Sequence, residues 1–206
     1  MNEDLISRKL QIQNRIPESD KRKNWGSEHH DNNRGLTAEK LYDILENTYR
    51  PQSKDLSKKM KTYLEMLEEH YLEYLRKTRN DSKHYMTRFR GEITSEMQKS
   101  WYDSIPENVN PYVFVVCSEK GVVYYPAGYG TVNIEDGSAM VTGVISQSER
   151  GQGLGRKLFV ALVEEAKKIA QRVSLEVLET NTIGISLYES MGFVETNRDY
   201  DVITME

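Results

Sequence analysis

The sequence predicts a mixed α/β domain in which an amphipathic helix lies between β-strands. Continuous apolar, β-prone runs such as Tyr112–Cys117 favour strands that are buried on both faces. A glycine-rich turn at residues 151–155 is followed by apolar positions at intervals of three and four, which favours a helix. Another apolar run, Val173–Leu178, then returns to the strand pattern. The 206-residue chain is long enough for one substantial core of this kind.

From Leu36 to about residue 110 the sequence pattern is predicted to be helical. Thr37 suits the N-cap of a helix that stops before Pro51. A second helix is predicted from about residue 53 to Asp81, because apolar residues repeat there with helical spacing. These residues are Met60, Leu64, Leu67, Tyr71 and Leu75.

The remaining elements alternate between short helices and strands. A helix is predicted from Thr94, its N-cap, to Tyr102, with Met97 and Trp101 facing inward. Residues 135–137 have the composition of a hairpin turn. The other predicted elements are the strands Val122–Asn133 (broken near Pro126–Gly128), Ala139–Ser146, Phe193–Val194 and Tyr200–Met205, and the helix Thr182–Met191, closed by Gly192.

Composition and charge narrow the classes of function. Residues 1–45 form a polar N-terminal extension, helical or disordered, that cannot bury much apolar surface, and residues 46–206 are expected to form the folded domain. The net charge of −4 argues against nucleic acid as a partner. The single cysteine, Cys117, excludes a multi-cysteine metal site, and no run approaches the roughly 18 apolar residues of a membrane span. We therefore expect a cytoplasmic protein with no membrane partner and no bound metal.

The glycine-rich segment from Arg150 to Arg156 has the pattern of an anion-binding turn. Its glycines allow close approach of the backbone, and the amides that open the following helix point towards the ligand with the helix dipole behind them. The segment lacks the Gly-Lys-Ser/Thr ending of a Walker A loop, and its glycine spacing differs from that of a dinucleotide-binding fingerprint. Alone, it could also be a simple connection between a strand and a helix.

Two segments together resemble the signatures of the GNAT superfamily of acetyl-CoA-dependent N-acetyltransferases. The first is Arg150-x-x-Gly153-x-Gly155 after an apolar strand. The second is the segment from Asn181 to Phe193, in which Asn opens a helix that carries Leu-Tyr-Glu and ends in Gly-Phe. The resemblance is tight over residues 139–206 and looser over residues 75–138. It implies a largely antiparallel central sheet flanked by helices.

The resemblance also assigns a binding role for acetyl-CoA, the co-substrate, to particular residues. The strand edge would bind the pantetheine amides, and the loop would bind the pyrophosphate. Asn181 would contact the cofactor arm and splay the strand ending at Leu178 away from the strand ending at Ser146. The strand-edge residues are Val144, Ile145 and Ser146, and the loop residues are Arg150, Gly151, Gln152, Gly153, Leu154, Gly155 and Arg156.

The implied reaction is direct attack of a primary amine on the thioester in a ternary complex. By resemblance, Tyr188 would direct its hydroxyl at the cofactor sulfur and protonate the leaving thiolate. The amine must lose a proton before it attacks. Glu176, His84 or an ordered water could accept this proton, and the sequence does not choose between them.

The acceptor is expected to be a small amino-group metabolite, with an amino sugar among the candidates. Residues 76–90 are locally basic, which would favour an anionic acceptor if this segment borders the cleft. A protein N-terminus or a lysine side chain is an alternative acceptor, and charged tRNA is a third that the acidic net charge disfavours. A non-catalytic acetyl-CoA-binding interaction module is the alternative of another class. The sequence leaves a homodimer open.

Overall fold

The computed structural model describes residues 60–118 and 124–206. The helix predicted after Thr37, the extension of residues 1–45 and the first residues of the strand predicted from Val122 therefore lie outside the described residues. Within them, the strands are β1 (Met60–Met66), β2 (Val109–Ser118), β3 (Tyr124–Glu135), β4 (Ser138–Ile145), β5 (Arg172–Leu178), β6 (Glu195–Asp199) and β7 (Val202–Met205). The α-helices are α1 (Leu72–Asp81), α2 (Ser95–Asp103), α3 (Leu154–Lys167) and α4 (Thr182–Glu189). None of the described helices is long and apolar enough to cross a membrane.

The seven strands form one sheet in the order β1-β2-β3-β4-β5-β7-β6. Every neighbouring pair is antiparallel except β4 and β5, which are parallel. Helix α3 makes the crossover between these two strands, as a parallel connection requires. The prediction of a mixed, largely antiparallel sheet flanked by helices is confirmed.

The sheet is covered on both faces. Phe114 and Val116 of β2 pack into a cluster with α3, whereas Val113 and Val115 pack into a second cluster with α1. We call these the α3 face and the α1 face. All four residues are almost fully buried, so β2 is buried on both sides, as its continuous apolar run predicts.

The helix predicted from about residue 53 to Asp81 is wrong in its first described part. Residues Met60–Met66 form strand β1, which pairs along its length with β2. Met60 and Leu64 are four residues apart, a spacing that fits one face of a strand as well as one face of a helix. The segment forms a strand because the buried main-chain groups at the edge of β2 require hydrogen-bond partners, which β1 supplies. The predicted end at Asp81 is confirmed by α1.

Two further predictions need correction. Met97 is exposed rather than inward, although the Thr94 hydroxyl caps α2 by accepting from Met97 N at 3.3 Å, and Trp101 packs against the α1-face cluster. The strand predicted at Phe193–Val194 begins instead at Glu195. Phe193 N donates to Tyr188 O and so belongs to the C-terminal end of α4.

The strand predicted from Tyr200 begins only at Val202, after a turn in which Tyr200 has a positive φ of 51°. Two other local predictions are confirmed. The predicted break in β3 is a bulge at Ala127, where the register with β2 shifts between Phe114 and Val115. Asp136 and Gly137 both have positive φ (47° and 73°), as a two-residue hairpin turn requires.

Candidate functional site

Strands β4 and β5 separate shortly after they begin to pair. Their only paired positions are Ser138↔Arg172, Ala139↔Val173 and Met140↔Ser174. Beyond Ser174, β5 pairs with β7, whereas β4 continues along β3. Residues 141–145 therefore have one edge that faces no paired strand in the described part of the chain. The separation begins at Met140 and Ser174, several residues before Asn181.

The hydrogen bonds of Ser146 show which main-chain groups face this opening. Ser146 N donates to Ala127 O at 3.0 Å and so points towards β3. Main-chain groups alternate in direction along a strand. Gly143 and Ile145 therefore direct theirs to the open edge, and the Ile145 carbonyl accepts from Arg150 Nε at 3.2 Å. Of the predicted strand-edge residues, Ile145 faces the opening, whereas Val144 and Ser146 face β3.

The glycine-rich turn is open on the side that a ligand would approach. Gly151 and Gly153 both have φ of 76°, and a Cβ at either position would meet nothing within 4 Å. The backbone conformation thus favours glycine, while the space beside it is unfilled. Gly153 is the N-cap of α3, so the amides of Leu154, Gly155 and Arg156 lie in the first turn, where they lack intrahelical acceptors. This open cradle fits a diphosphate.

Three predicted side chains of the loop are held by protein groups. Arg150 donates from Nη2 to Ser82 Oγ at 2.7 Å and lies over the ring of Tyr85, 5.3 Å from its centroid. Arg156 donates to Ser190 Oγ at 2.7 Å. The side chain of Gln152 donates to Glu149 at 3.3 Å. The loop therefore offers its main chain to a ligand more directly than these three side chains.

Asn181 begins α4 at the carboxyl end of β5. Its Oδ1 accepts from Gly184 N at 3.0 Å, which is an N-cap bond. A Cβ on Gly184 would approach the Asn181 side chain to 2.6 Å, so a larger residue there would displace the capping side chain. The side-chain oxygen of Asn181 is therefore used to start the helix.

Tyr188 lies on α4 against the α3 face of the sheet and is 7% exposed. Its ring meets that of Phe159 edge-on, with centroids 4.7 Å apart. Phe159 also lies 3.1 Å from the position that a Cβ of Gly143 would occupy. The ring of Phe159 therefore lies between Tyr188 and Gly143, a residue at the open edge of β4. Burial raises the pKa of the Tyr188 hydroxyl well above its usual value, so this group stays protonated at neutral pH.

The two candidate bases occupy different environments. Glu176 follows the last β4–β5 pair, and its Oε2 accepts from Thr87 Oγ1 at 3.1 Å and from Arg88 Nε at 3.2 Å. Its Oε1 accepts from Arg88 Nη2 at 2.9 Å. His84 is exposed in a single 3-10 turn. Glu176 therefore lies beside the opening, and His84 lies in the turn between Ser82 and Tyr85, both of which contact Arg150.

A comparison of the sequence with family models matches residues 39–193 to the acetyltransferase (GNAT) family. The chain belongs to the GNAT family. It is 29% identical over 108 residues to an L-methionine sulfoximine/L-methionine sulfone acetyltransferase of Salmonella typhimurium, and 28% identical over 108 residues to an L-amino acid N-acyltransferase of Escherichia coli. Each match covers 50% of this chain and 62% of the relative, so the chain aligns with less than two thirds of either protein.

Solved structures support the same fold. A domain from Methanocaldococcus jannaschii superposes with a TM-score of 0.64 at 19% identity and covers 71% of this chain and 97% of its own length. A spermidine N-acetyltransferase from Vibrio cholerae, solved with CoA and spermine, gives a TM-score of 0.59 at 19% identity and covers 72% of this chain and 94% of its own. At these identities the likeness concerns the GNAT fold alone.

Sequence reasoning missed a carboxylate beneath the glycine-rich turn of this GNAT domain. Glu149 is 7% exposed and accepts from Tyr125 OH, from Ser148 Oγ and from the side chain of Gln152, each at 3.3 Å. A glutamate beside Ser148 and Arg150 has the pattern of a solvated loop. Only the contact with Tyr125 of β3, 24 residues away in sequence, reveals its burial.

The basic segment of residues 76–90 is largely structural. Arg76 pairs with Glu73 through two hydrogen bonds of 2.8 and 2.7 Å, and Arg90 pairs with Asp201 at 2.7 Å. Arg79 is buried and donates to the carbonyls of Phe89 and Gly91. These contacts fix the segment that follows α1, and they leave Arg88 as the basic residue that reaches the opening.

Proposed function

We propose that this protein transfers the acetyl group of acetyl-CoA to a primary amine of a small molecule by direct attack in a ternary complex. The observation that carries the proposal is the separation of β4 from β5 beside the open glycine-rich turn of α3. Membership of the GNAT family supports it. The names of the curated relatives, which describe acylation of amino acids and their analogues, support a small acceptor.

The two parts of this opening suit the two parts of coenzyme A. The main-chain groups of Gly143 and Ile145 can hydrogen-bond the amides of an extended pantetheine arm as a further strand would. The amides around Gly151 and Gly153, together with the first turn of α3, can hold the diphosphate. Acetyl-CoA supplies the activated thioester.

The protein's own groups can assist each stage of acyl transfer. The free alkylammonium has a pKa of roughly 10.4, so the amine must be deprotonated before it can attack. A main-chain N–H at the open edge of β4 can donate to the oxyanion that forms at the carbonyl. Tyr188, protonated because of its burial, can donate a hydrogen bond to the departing sulfur and stabilise the thiolate.

Proton removal has two routes in this arrangement. Both oxygens of Glu176 accept hydrogen bonds from Arg88, so Glu176 can take the proton of the amine only when Arg88 moves away. A water molecule beside Glu176 is the other route.

Release of coenzyme A from acetyl-CoA, followed with a panel of primary amines, tests the proposal. We expect Tyr188→Phe to lower kcat by about 100- to 10,000-fold, as loss of a proton donor does, with little change in binding of acetyl-CoA. Tyr112→Phe, which also removes a partly buried hydroxyl, is the matched control and should retain wild-type turnover. Tight binding of acetyl-CoA without release of coenzyme A on any amine would instead identify a binding module.

A further inference from the structure

We infer that the acceptor is a zwitterion of the α-amino acid class, whose carboxylate is bound by Arg88 and whose ammonium group is bound by Glu176. This inference rests on the proposed function and adds to it the charge pattern of the acceptor. In the structure the two side chains bind each other, so Arg88 occupies the place of the acceptor's ammonium group and Glu176 occupies the place of its carboxylate.

The pair lies at the vertex of the opening. Met140 and Ser174 are the last paired residues of β4 and β5, and Glu176 is the second residue beyond Ser174. Arg88 Nη2 lies 3.6 Å from Met140 Sδ, which places the guanidinium at the same point. Both partners thus lie where the strands part.

The Glu176 side chain is also on the opposite side of the sheet from Tyr188. Leu175 and Val177 belong to the α3-face cluster, as Tyr188 does. Because side chains alternate along a strand, Glu176 faces the α1 side. A thioester held between the strands would then have Tyr188 on one side and the Arg88–Glu176 pair on the other.

The two members of the pair differ in exposure. The side chain of Glu176 is 20% exposed, whereas that of Arg88 is 74% exposed. Glu176 is also held by Thr87, so it stays in place when Arg88 moves. An ion pair with one partner mostly in solvent contributes little to stability, and Arg88 can leave it at small cost.

A zwitterion would replace one ion pair by two. Its ammonium would occupy the place of the guanidinium at Glu176, and its carboxylate would bind the guanidinium through parallel N–H donors, the geometry that arginine favours. The net charge of the site would be unchanged. A polyamine would bring several positive charges against Arg88, with Glu176 and the more distant Glu135 to balance them, and would bind less well.

The other arginines of this segment do not offer an equivalent site. Arg76 is bound to Glu73, and Arg90 is bound to Asp201. Arg79 is buried against main-chain carbonyls. Arg88 therefore combines exposure, position at the vertex and a neighbouring carboxylate.

The test compares free L-α-amino acids with their own carboxamides, which keep the ammonium and side chain but lack the carboxylate, and with spermidine. We expect wild type to prefer the acids. Arg88→Gln should raise the KM for the acids by about 10- to 100-fold, the loss of a charged bidentate contact, with the carboxamides changed by less than about 3-fold. Arg88→Lys should restore part of the preference. Glu176→Gln should raise the KM for acids and carboxamides alike.

Arg198→Gln is the matched control, because Arg198 is an exposed arginine of β6 that is paired with Glu195 of the same strand and with Glu179. It should leave the preference unchanged. An active enzyme that prefers carboxamides or spermidine, or an Arg88→Gln variant with equal effects on acids and carboxamides, would overturn the inference and leave the proposed function standing. If no amine releases coenzyme A, the proposed function fails. The inference is then tested by calorimetric binding of the same acids and carboxamides to the protein in the presence of acetyl-CoA. Equal affinities for acids and carboxamides would overturn it.

Discussion

The guanidinium of Arg156 donates to the side-chain Oγ of Ser190 at 2.7 Å and to its main-chain oxygen at 3.3 Å. The first turn of α3 is thereby joined to the C-terminal end of α4, where a positive charge also meets the negative end of the helix dipole. The helix that presents the glycine-rich turn and the helix that carries Tyr188 are thus fixed to each other by a contact on the protein surface.

Arg156→Ala should lower the free energy of unfolding by about 1 kcal/mol, the size of a charge interaction at a helix end. Affinity for acetyl-CoA should fall by less than about 3-fold, because the main-chain amide remains and the guanidinium is already occupied by Ser190. Urea unfolding and calorimetric titration measure the two effects. Lys157→Ala, at the next exposed position, is the control, and a 10-fold loss of affinity confined to Arg156→Ala would mean that the guanidinium binds the ligand.

Gly153→Ala should be destabilising and should weaken binding of acetyl-CoA. A residue with a Cβ is strained at φ of 76°, at a cost of about 1–2 kcal/mol, and the methyl group would enter the open cradle. Gly155→Ala is the matched control for stability, since its Cβ would meet Leu187 at an ordinary 3.6 Å inside a helix. Urea unfolding compares the two variants, and equal stability would contradict the role given to the left-handed conformation.

Glu149→Gln should weaken binding of acetyl-CoA by roughly 10-fold, because one carboxylate oxygen that accepts hydrogen bonds becomes an NH₂ group facing two donors, Tyr125 OH and the Gln152 amide. Thermal shift with increasing acetyl-CoA would measure this. Glu164→Gln, an exposed substitution on α3, should bind as wild type does. If both variants bind alike, Glu149 does not position the loop.

Stability should fall as the pH rises above about 10, the ordinary value for tyrosine. Burial, with a smaller contribution from Glu165, raises the pKa of Tyr112 to about 12, so the folded protein keeps this proton where the unfolded chain has lost it. The contribution of Tyr112 is therefore complete below pH 10 and lost as the pH rises towards 12. Tyr112→Phe should flatten the decline between pH 9 and 11.5 in urea unfolding, whereas Tyr200→Phe, at an exposed turn, should not.

The sequence was informative where a few adjacent residues decide the structure. Positive φ at Gly151 and Gly153, the Asp136–Gly137 turn and the Thr94 cap depend on neighbours that any reader of the chain can see. Strand β1 was misassigned because the partner that stabilises it, β2, lies more than forty residues further along the chain.

The chemistry at the opening was harder to predict for the same reason. Glu176 was a reasonable candidate for the cleft from strand alternation, but its partner Arg88 is 88 residues away. Arg150 contacts Ser82 across 68 residues. Such contacts form because the folded sheet brings distant segments together, and the spacing of residues in the sequence does not predict which segments will meet.

The short ladder between β4 and β5 also bears on how the protein responds to its ligand. The chain pairs these strands over three positions, and residues 141–145 of β4 then face no paired strand in the described part of the chain. A pantetheine arm that binds there would take up hydrogen bonds that neighbouring strands supply elsewhere in the sheet. Binding of acetyl-CoA would then stabilise the folded sheet. The melting temperature would rise with the concentration of acetyl-CoA, and amide hydrogens along residues 141–145 would exchange more slowly.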